Sequence, residues 1–341
     1  MRIVTRLRPR RGMAALAVTL LGLVAASVSA CSVQSASEPG LLVRPTVDDD
    51  PALPALDLNG TRLHVESRGL ASGPVVVFLH GGPGGDYRYM LGLADPEAAG
   101  ALGADHRLVF WDQRGTGLSR RHAREDVTME AYQADLEALV DAVSPGAPVV
   151  LVGHSWGGAY ASWYMGRHPD RVRGAVLIDP QAINHTLYAE NGPAAATELL
   201  AEWVSDPLWS REIVSPDDHA RADFWLASLE LHRIPRFGNH DVTPQFRPGS
   251  VVFKYLDYRW FDDNAYDFGR ELDRFTRPVW ILAGTEDQVL GESFQRRQVA
   301  LFRDARLVPL PGDGHNDTVM RSAPRTIAHV RAYLDALGAL P

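Results

Sequence analysis

PVVLVGHSWGG, residues 148–158, decides how this chain is read. Five consecutive apolar residues, three of them valine, suit a strand buried on both faces of a parallel sheet. Gly153-His154-Ser155-Trp156-Gly157 then fits G-x-S-x-G, a strand-to-helix turn that holds a nucleophile. Small residues two positions either side of Ser155 let the flanking chains approach. The turn lifts the Ser155 hydroxyl above the sheet, and the helix that follows offers its N–H dipoles to an anion. Ser155 is therefore the candidate nucleophile.

Working outward, the same kind of buried run recurs at Pro74–Leu79, Arg107–Trp111, Ala175–Ile178, Pro278–Leu282 and Arg306–Leu310. Thr61–Ser67 alternates and is expected as an edge strand. Helical segments lie between these runs, at Met129–Val143, Gly157–Arg167, Ser293–Arg303 and Ala323–Leu337. In the first of them Leu136, Leu139, Val140 and Val143 form one apolar stripe. Strands alternating with helices predict an α/β fold with a mostly parallel, doubly wound sheet. The alternation stops between Asp179 and Arg277, a stretch with Trp203, Trp209, Trp225 and Trp260 but no buried-strand run. It is expected as a helical cap over the carboxyl ends of the strands, where open α/β sheets bind ligands. The expected domains are a core of residues 56–179 and 278–341 and a cap of residues 180–277.

A serine nucleophile needs a base and an acid, which follow in the order Ser, acid, His on such a scaffold. Ala283-Gly284-Thr285-Glu286-Asp287 places a carboxylate at one strand end, with Asp287 preferred over Glu286. Pro311-Gly312-Asp313-Gly314-His315 places an imidazole on a Gly-rich loop after the last strand. His315 would take the Ser155 proton, and Asp287 would orient and stabilise the imidazolium. Acyl transfer also needs N–H donors aimed at the developing oxyanion. Trp156, just after the nucleophile, and Gly82, in His80-Gly81-Gly82-Pro83-Gly84-Gly85, are the expected donors. A dinucleotide fingerprint fails here, because its third glycine position is Tyr87. No H-E-x-x-H occurs, so neither a metal nor a cofactor is expected. Ser155 rather than Asp at the turn rules out epoxide hydrolase or dehalogenase chemistry.

HGGPGG at 80–85, WDQRGTGLS at 111–119 and GHSWGG at 153–158, with Asp287 and His315 behind them, resemble the proline iminopeptidase (prolyl aminopeptidase) group of α/β-hydrolases. The resemblance runs over about residues 56–338. It implies the α/β-hydrolase fold and a serine exopeptidase that removes an N-terminal residue, often proline, from short peptides without a cofactor. By position it carries over Ser155, Asp287 and His315 as triad, and Gly82 and Trp156 as oxyanion hole. In Asp112-Gln113-Arg114-Gly115 an Asp–Arg pair is expected to brace the strand-end turn. His154 departs from the group, which has a second glycine there, and its cap glutamates do not align onto 180–277. Asp257, Asp262, Asp263, Asp267 and Glu230 are the candidates for holding a substrate ammonium.

The 341 residues, 45% hydrophobic and 22% charged, make an ordinary globular composition rather than a disordered or repetitive one. Net charge is −8, and five arginines crowd the first eleven positions. Without these, 29 basic residues face 42 acidic ones, which excludes an electrostatic grip on nucleic acid. Residues 1–12 are basic and 13–28 apolar, shorter than the ~20 residues of a membrane span, and so read as a secretory signal. Val28-Ser29-Ala30-Cys31 resembles the lipobox of bacterial lipoproteins, with the chain's single cysteine in the lipidated position. The resemblance implies a signal peptide over 1–30, a lipid anchor on Cys31 and an extracytoplasmic, membrane-tethered protein. Residues 31–55, polar and Pro-punctuated, are expected as the linker. Three functions follow: an aminopeptidase, an esterase, lactone or amide hydrolase of small molecules, or a non-catalytic binding lipoprotein.

Overall fold

The computed structural model describes residues 43–190, 219–231, 238–261 and 264–339; the expected signal segment and Cys31 lie outside them. Eight strands form one sheet in the order β1-β2-β4-β3-β5-β6-β7-β8. They are β1 (Ala55–Leu58), β2 (Thr61–Gly69), β3 (Val75–Leu79), β4 (Arg107–Trp111), β5 (Val149–His154), β6 (Val172–Ile178), β7 (Val279–Gly284) and β8 (Ala305–Leu310). β1 and β2 join the sheet antiparallel; every pairing from β4 to β8 is parallel.

The apolar runs become two-faced strands because successive side chains point to opposite sides. Val75, Val77 and Leu79 enter one core, with Val109, Trp111, Leu151 and Leu177. Val76 and Phe78 enter the other, with Leu108, Phe110, Val152 and Ile178. Helices cover both. The stripe of α1 (Met129–Val143) packs on the first face with Tyr160 and Tyr164 of α2 (Trp156–Arg167). Ile327, Val330, Tyr333 and Leu337 of α4 (Ala323–Gly338) pack on the second. Thr128 caps α1, its hydroxyl accepting from the Ala131 N–H at 3.2 Å.

Two expectations need correction at the amino-terminal end. Thr61–Gly69 is not an edge strand: it lies between β1 and β4. Asn59 and Gly60, both at positive φ (47° and 71°), make the tight hairpin that adds β1 outside it. The expected linker 31–55 is, from Val43 onward, part of the packed domain. Val43 and Val47 are fully buried, and the Val47 N–H donates to the Leu118 carbonyl at 2.8 Å. Composition hid this, because two well-placed valines anchor a stretch that is otherwise polar.

Residues 179–278 leave the sheet between β6 and β7, which pair directly with each other. Their described part contains α3 (His219–Leu231), a short helix Ser250–Val252 running into a π-helical stretch Phe253–Trp260, and a 3₁₀ turn at Leu272–Arg274. One isolated bridge, Asn184 with Asp267, is its only strand-like pairing among the described residues. Asp223 of α3 holds this segment to the core. Its buried carboxylate accepts from Arg121 Nε (2.9 Å), Arg247 Nε (2.7 Å), and the Ser250 N–H (3.0 Å) and hydroxyl (2.6 Å). The two guanidiniums and the hydroxyl outweigh burial and keep the Asp223 pKa below its usual value. No helix among the described residues is long and apolar enough to cross a membrane.

Candidate active site

Ser155 sits between β5 and α2 at φ 54°, ψ −121°, a conformation that costs an ordinary residue about 1–3 kcal/mol. The turn closes only with glycine on both sides. A Cβ on Gly153 would lie 2.4 Å from the Gly157 carbonyl oxygen, and one on Gly157 would lie 2.1 Å from that of Leu79. The Ser155 N–H donates to the Ile178 carbonyl at 3.0 Å, tying the turn to β6.

His315, on the loop after β8, faces Asp287, on the loop after β7, with Nδ1 2.7 Å from Oδ2. The other oxygen of Asp287 accepts the Val289 and Leu290 N–H groups, each at 2.9 Å. A carboxylate against Nδ1 requires the proton on Nδ1, which leaves the neutral ring's lone pair on Nε2. Glu286, the alternative acid, is exposed. Among the described residues no hydrogen bond joins the Ser155 hydroxyl to His315.

His154, where the resemblance expects glycine, joins these loops. Its Nε2 lies 3.1 Å from the His315 carbonyl oxygen, and its Nδ1 lies 2.8 Å from the Tyr89 hydroxyl. The carbonyl can only accept, so Nε2 carries the proton, and Nδ1 must then accept from Tyr89. The Tyr89 oxygen in turn accepts the Gly81 N–H at 2.7 Å. One directional chain therefore runs from the glycine loop to the backbone of His315. Burial, reinforced by His315, pushes the His154 pKa well below its usual value, as a neutral relay requires. In the sequence, only the departure from glycine at His154 marked this strut; nothing marked Tyr89.

The Gly81 amide is committed to Tyr89, whereas Trp156 opens α2, where helix geometry supplies no acceptor for its N–H. Gly82, at φ 130°, follows immediately, and Gly81 is pressed against Ser155: a Cβ there would lie 3.1 Å from that of Ser155. Gln113 locks the two loops together. Its amide nitrogen donates to the His80 carbonyl at 3.1 Å and its amide oxygen accepts from Trp156 Nε1 at 2.9 Å. The bracing expected of the 112–115 turn is present, but its pairs differ. Asp112 accepts from His64 Nδ1 at 2.8 Å, and Arg114 makes a two-pronged pair with Asp135 of α1, both contacts 2.8 Å. A tight turn points residues two apart in different directions, so each found a separate partner.

Of the acids expected to receive an ammonium, Asp267 is exposed and accepts the Gly269 N–H at 2.9 Å. Asp262 and Asp263, and the side chains of Glu230 and Asp257, lie outside the described residues.

Comparison with known proteins adds a family. The family described as the alpha/beta hydrolase fold matches residues 74–319. A proline iminopeptidase of Neisseria meningitidis is 39% identical over 118 residues, which are 34% of this chain and 36% of that protein. The chain thus matches about a third of the length of that relative. A putative carbamate hydrolase of Variovorax paradoxus is 25% identical over 276 residues, 76% of this chain and 92% of that one. The solved structure of a proline iminopeptidase of Mycobacterium smegmatis superposes with a TM-score of 0.60 at 17% identity, covering 84% of this chain and 98% of that one.

Proposed function

The chain belongs to the α/β-hydrolase family, and on that premise we propose that it is a serine hydrolase working through an acyl-enzyme, with Ser155, His315 and Asp287 as its triad. The observation that carries the reading is the 2.7 Å contact of His315 Nδ1 with Asp287, beside a serine in a strained turn. Ser155 Oγ attacks the substrate carbonyl carbon while His315 Nε2 takes its proton. The N–H groups of Gly82 and Trp156 receive the oxyanion. The imidazolium then gives the proton to the leaving amine or alcohol, and water releases the acyl group by the same steps in reverse order.

The substrate we propose is a short peptide with a free amino terminus, making the enzyme an aminopeptidase. The motifs at 80–85 and 111–119 and the partial similarity to proline iminopeptidases support this. A second reading, a hydrolase of small esters, lactones or amides, is favoured by the longer though weaker similarity to a carbamate hydrolase. A lipid anchor on Cys31, holding the enzyme outside the cytoplasm, belongs to the proposal as well. Proline p-nitroanilide, its N-acetylated form and p-nitrophenyl acetate separate the readings, with Ser155→Ala as blank. Turnover of the free-amine anilide over the acetylated one is expected. Ester cleavage with both anilides untouched would sink the aminopeptidase and leave the second reading.

A further inference from the structure

Asp179, at the carboxyl end of β6, is a second carboxyl in the same cluster as the base. It is completely buried, and one of its oxygens, one ring nitrogen of His154 and one of His315 all lie within 4.8 Å of one another. Its backbone is held at φ 42°, with its N–H donated to the Leu282 carbonyl at 2.8 Å. Oδ1 accepts the Gly284 N–H at 2.8 Å, but Oδ2 is buried and has no hydrogen-bond partner among the described residues. A strained backbone that delivers an unsatisfied oxygen to this spot calls for an account.

A cation does not fit there. Both nitrogens of His154 are engaged, by Tyr89 and by the His315 carbonyl, and Nδ1 of His315 belongs to Asp287. Thr318 lies beside both groups: its hydroxyl donates to the His315 carbonyl at 2.9 Å, and its contact with Asp179 works against burial by favouring the carboxylate. A buried oxygen set close to the Asp287 carboxylate suits a carboxylic acid. The groups that face Asp179 are His154 from β5, Asp287 after β7, and Asp313, His315 and Thr318 after β8. Burial first, and the charge of Asp287 second, raise its pKa well above the usual carboxylate value.

We propose that Asp179 is a second, proton-bearing carboxyl that serves His315. It stays a carboxylic acid while Asp287 holds the negative charge, and it becomes the ionic partner of the His315 imidazolium when Asp287 is neutral. In the second state Asp179 releases its proton to solvent, so the cluster keeps one negative charge for one imidazolium. The inference rests on the triad reading above and makes Asp179 a positioning residue.

The test is a double-mutant cycle on the full-length chain, with p-nitrophenyl acetate as probe and melting temperature as folding control. Asp287→Asn is expected to lower kcat by about 10²-fold, less than the ~10⁴ of a triad with no second acid. Asp179→Asn is expected to cost several-fold in the wild-type background and at least about tenfold more than that on top of Asp287→Asn. The same factor in both backgrounds would overturn the proposal while leaving the triad intact. A double variant as active as wild type would instead remove the triad reading, and this proposal with it. Infrared difference spectra of the wild type against Asp179→Asn at pH 7 give a readout independent of the double variant. A protonated-carboxyl C=O band present only in the wild type is expected, and its absence would overturn the proposal.

Discussion

The carboxyl end of the sheet and the segment that leaves it between β6 and β7 hold their buried polar groups in different ways. At the sheet end, Gly81, Tyr89, His154 and His315 pass hydrogen bonds from one strand end to the next, each donor meeting one acceptor. In the inserted segment, anchoring gathers on Asp223, where one carboxylate meets two guanidiniums. The first arrangement is neutral and directional, so it fixes where reacting atoms stand. The second is ionic and tolerant of angle, so it fixes attachment. Damage to the sheet end should therefore appear mainly in rate, and damage to Asp223 mainly in stability.

The largest effect that would sharpen this contrast is at Ser155. Ser155→Gly should lower kcat by about 10⁵-fold or more, yet raise stability by about 1 kcal/mol, because glycine tolerates φ 54°. Paired activity assays and urea titrations check this, and a destabilised, inactive variant would contradict it. Next comes Asp223→Asn, which leaves two largely buried arginines facing an uncharged amide. A loss of about 3–5 kcal/mol in urea titration is expected, with kcat per folded molecule changed far less. A variant with normal stability and collapsed kcat would break the comparison from that side.

A smaller effect is expected from Tyr89→Phe, which leaves the Gly81 N–H and His154 Nδ1 without their partner. It should cost about 1–3 kcal/mol of stability and about tenfold in kcat, with KM nearly unchanged. Equal changes in KM and kcat would show that the chain of bonds does not position the base. The gentlest test is His122, buried against the Thr61 hydroxyl at 2.7 Å, where burial first and Arg114 second push its pKa down to about 4 from 6.5. Between those values the unfolded chain takes up a proton that the folded chain refuses. Stability therefore falls as the pH falls, by up to about 1.4 kcal/mol per pH unit from this residue. In His122→Gln that slope should flatten between pH 6.5 and 4. Stability curves of variant and wild type that run parallel would count against it.

Much of this was legible in the residues. PVVVFL, RLVFW and PVVLV became the central strands because residues buried on both faces must be apolar at every position. Asp287 and His315, which the structure sets 2.7 Å apart, were singled out from their places after two apolar runs. His64, Tyr89, Asp135 and Asp179 left no comparable trace, since a single polar residue in an apolar stretch looks the same whether it is a surface group or a strut.

The sequence by itself determined the parallel sheet and the turn at Ser155, and it marked the acid and base we propose, because each depends on local pattern and chain order. Tertiary structure alone decided which groups meet. It packed Val43 and Val47 against the domain, paired Arg114 with Asp135 rather than Asp112, and made His154 a link between loops. It also set Asp179 beside His315. These contacts join residues far apart in the chain, and a side chain's partner is set by where the backbone carries it, which no local pattern encodes.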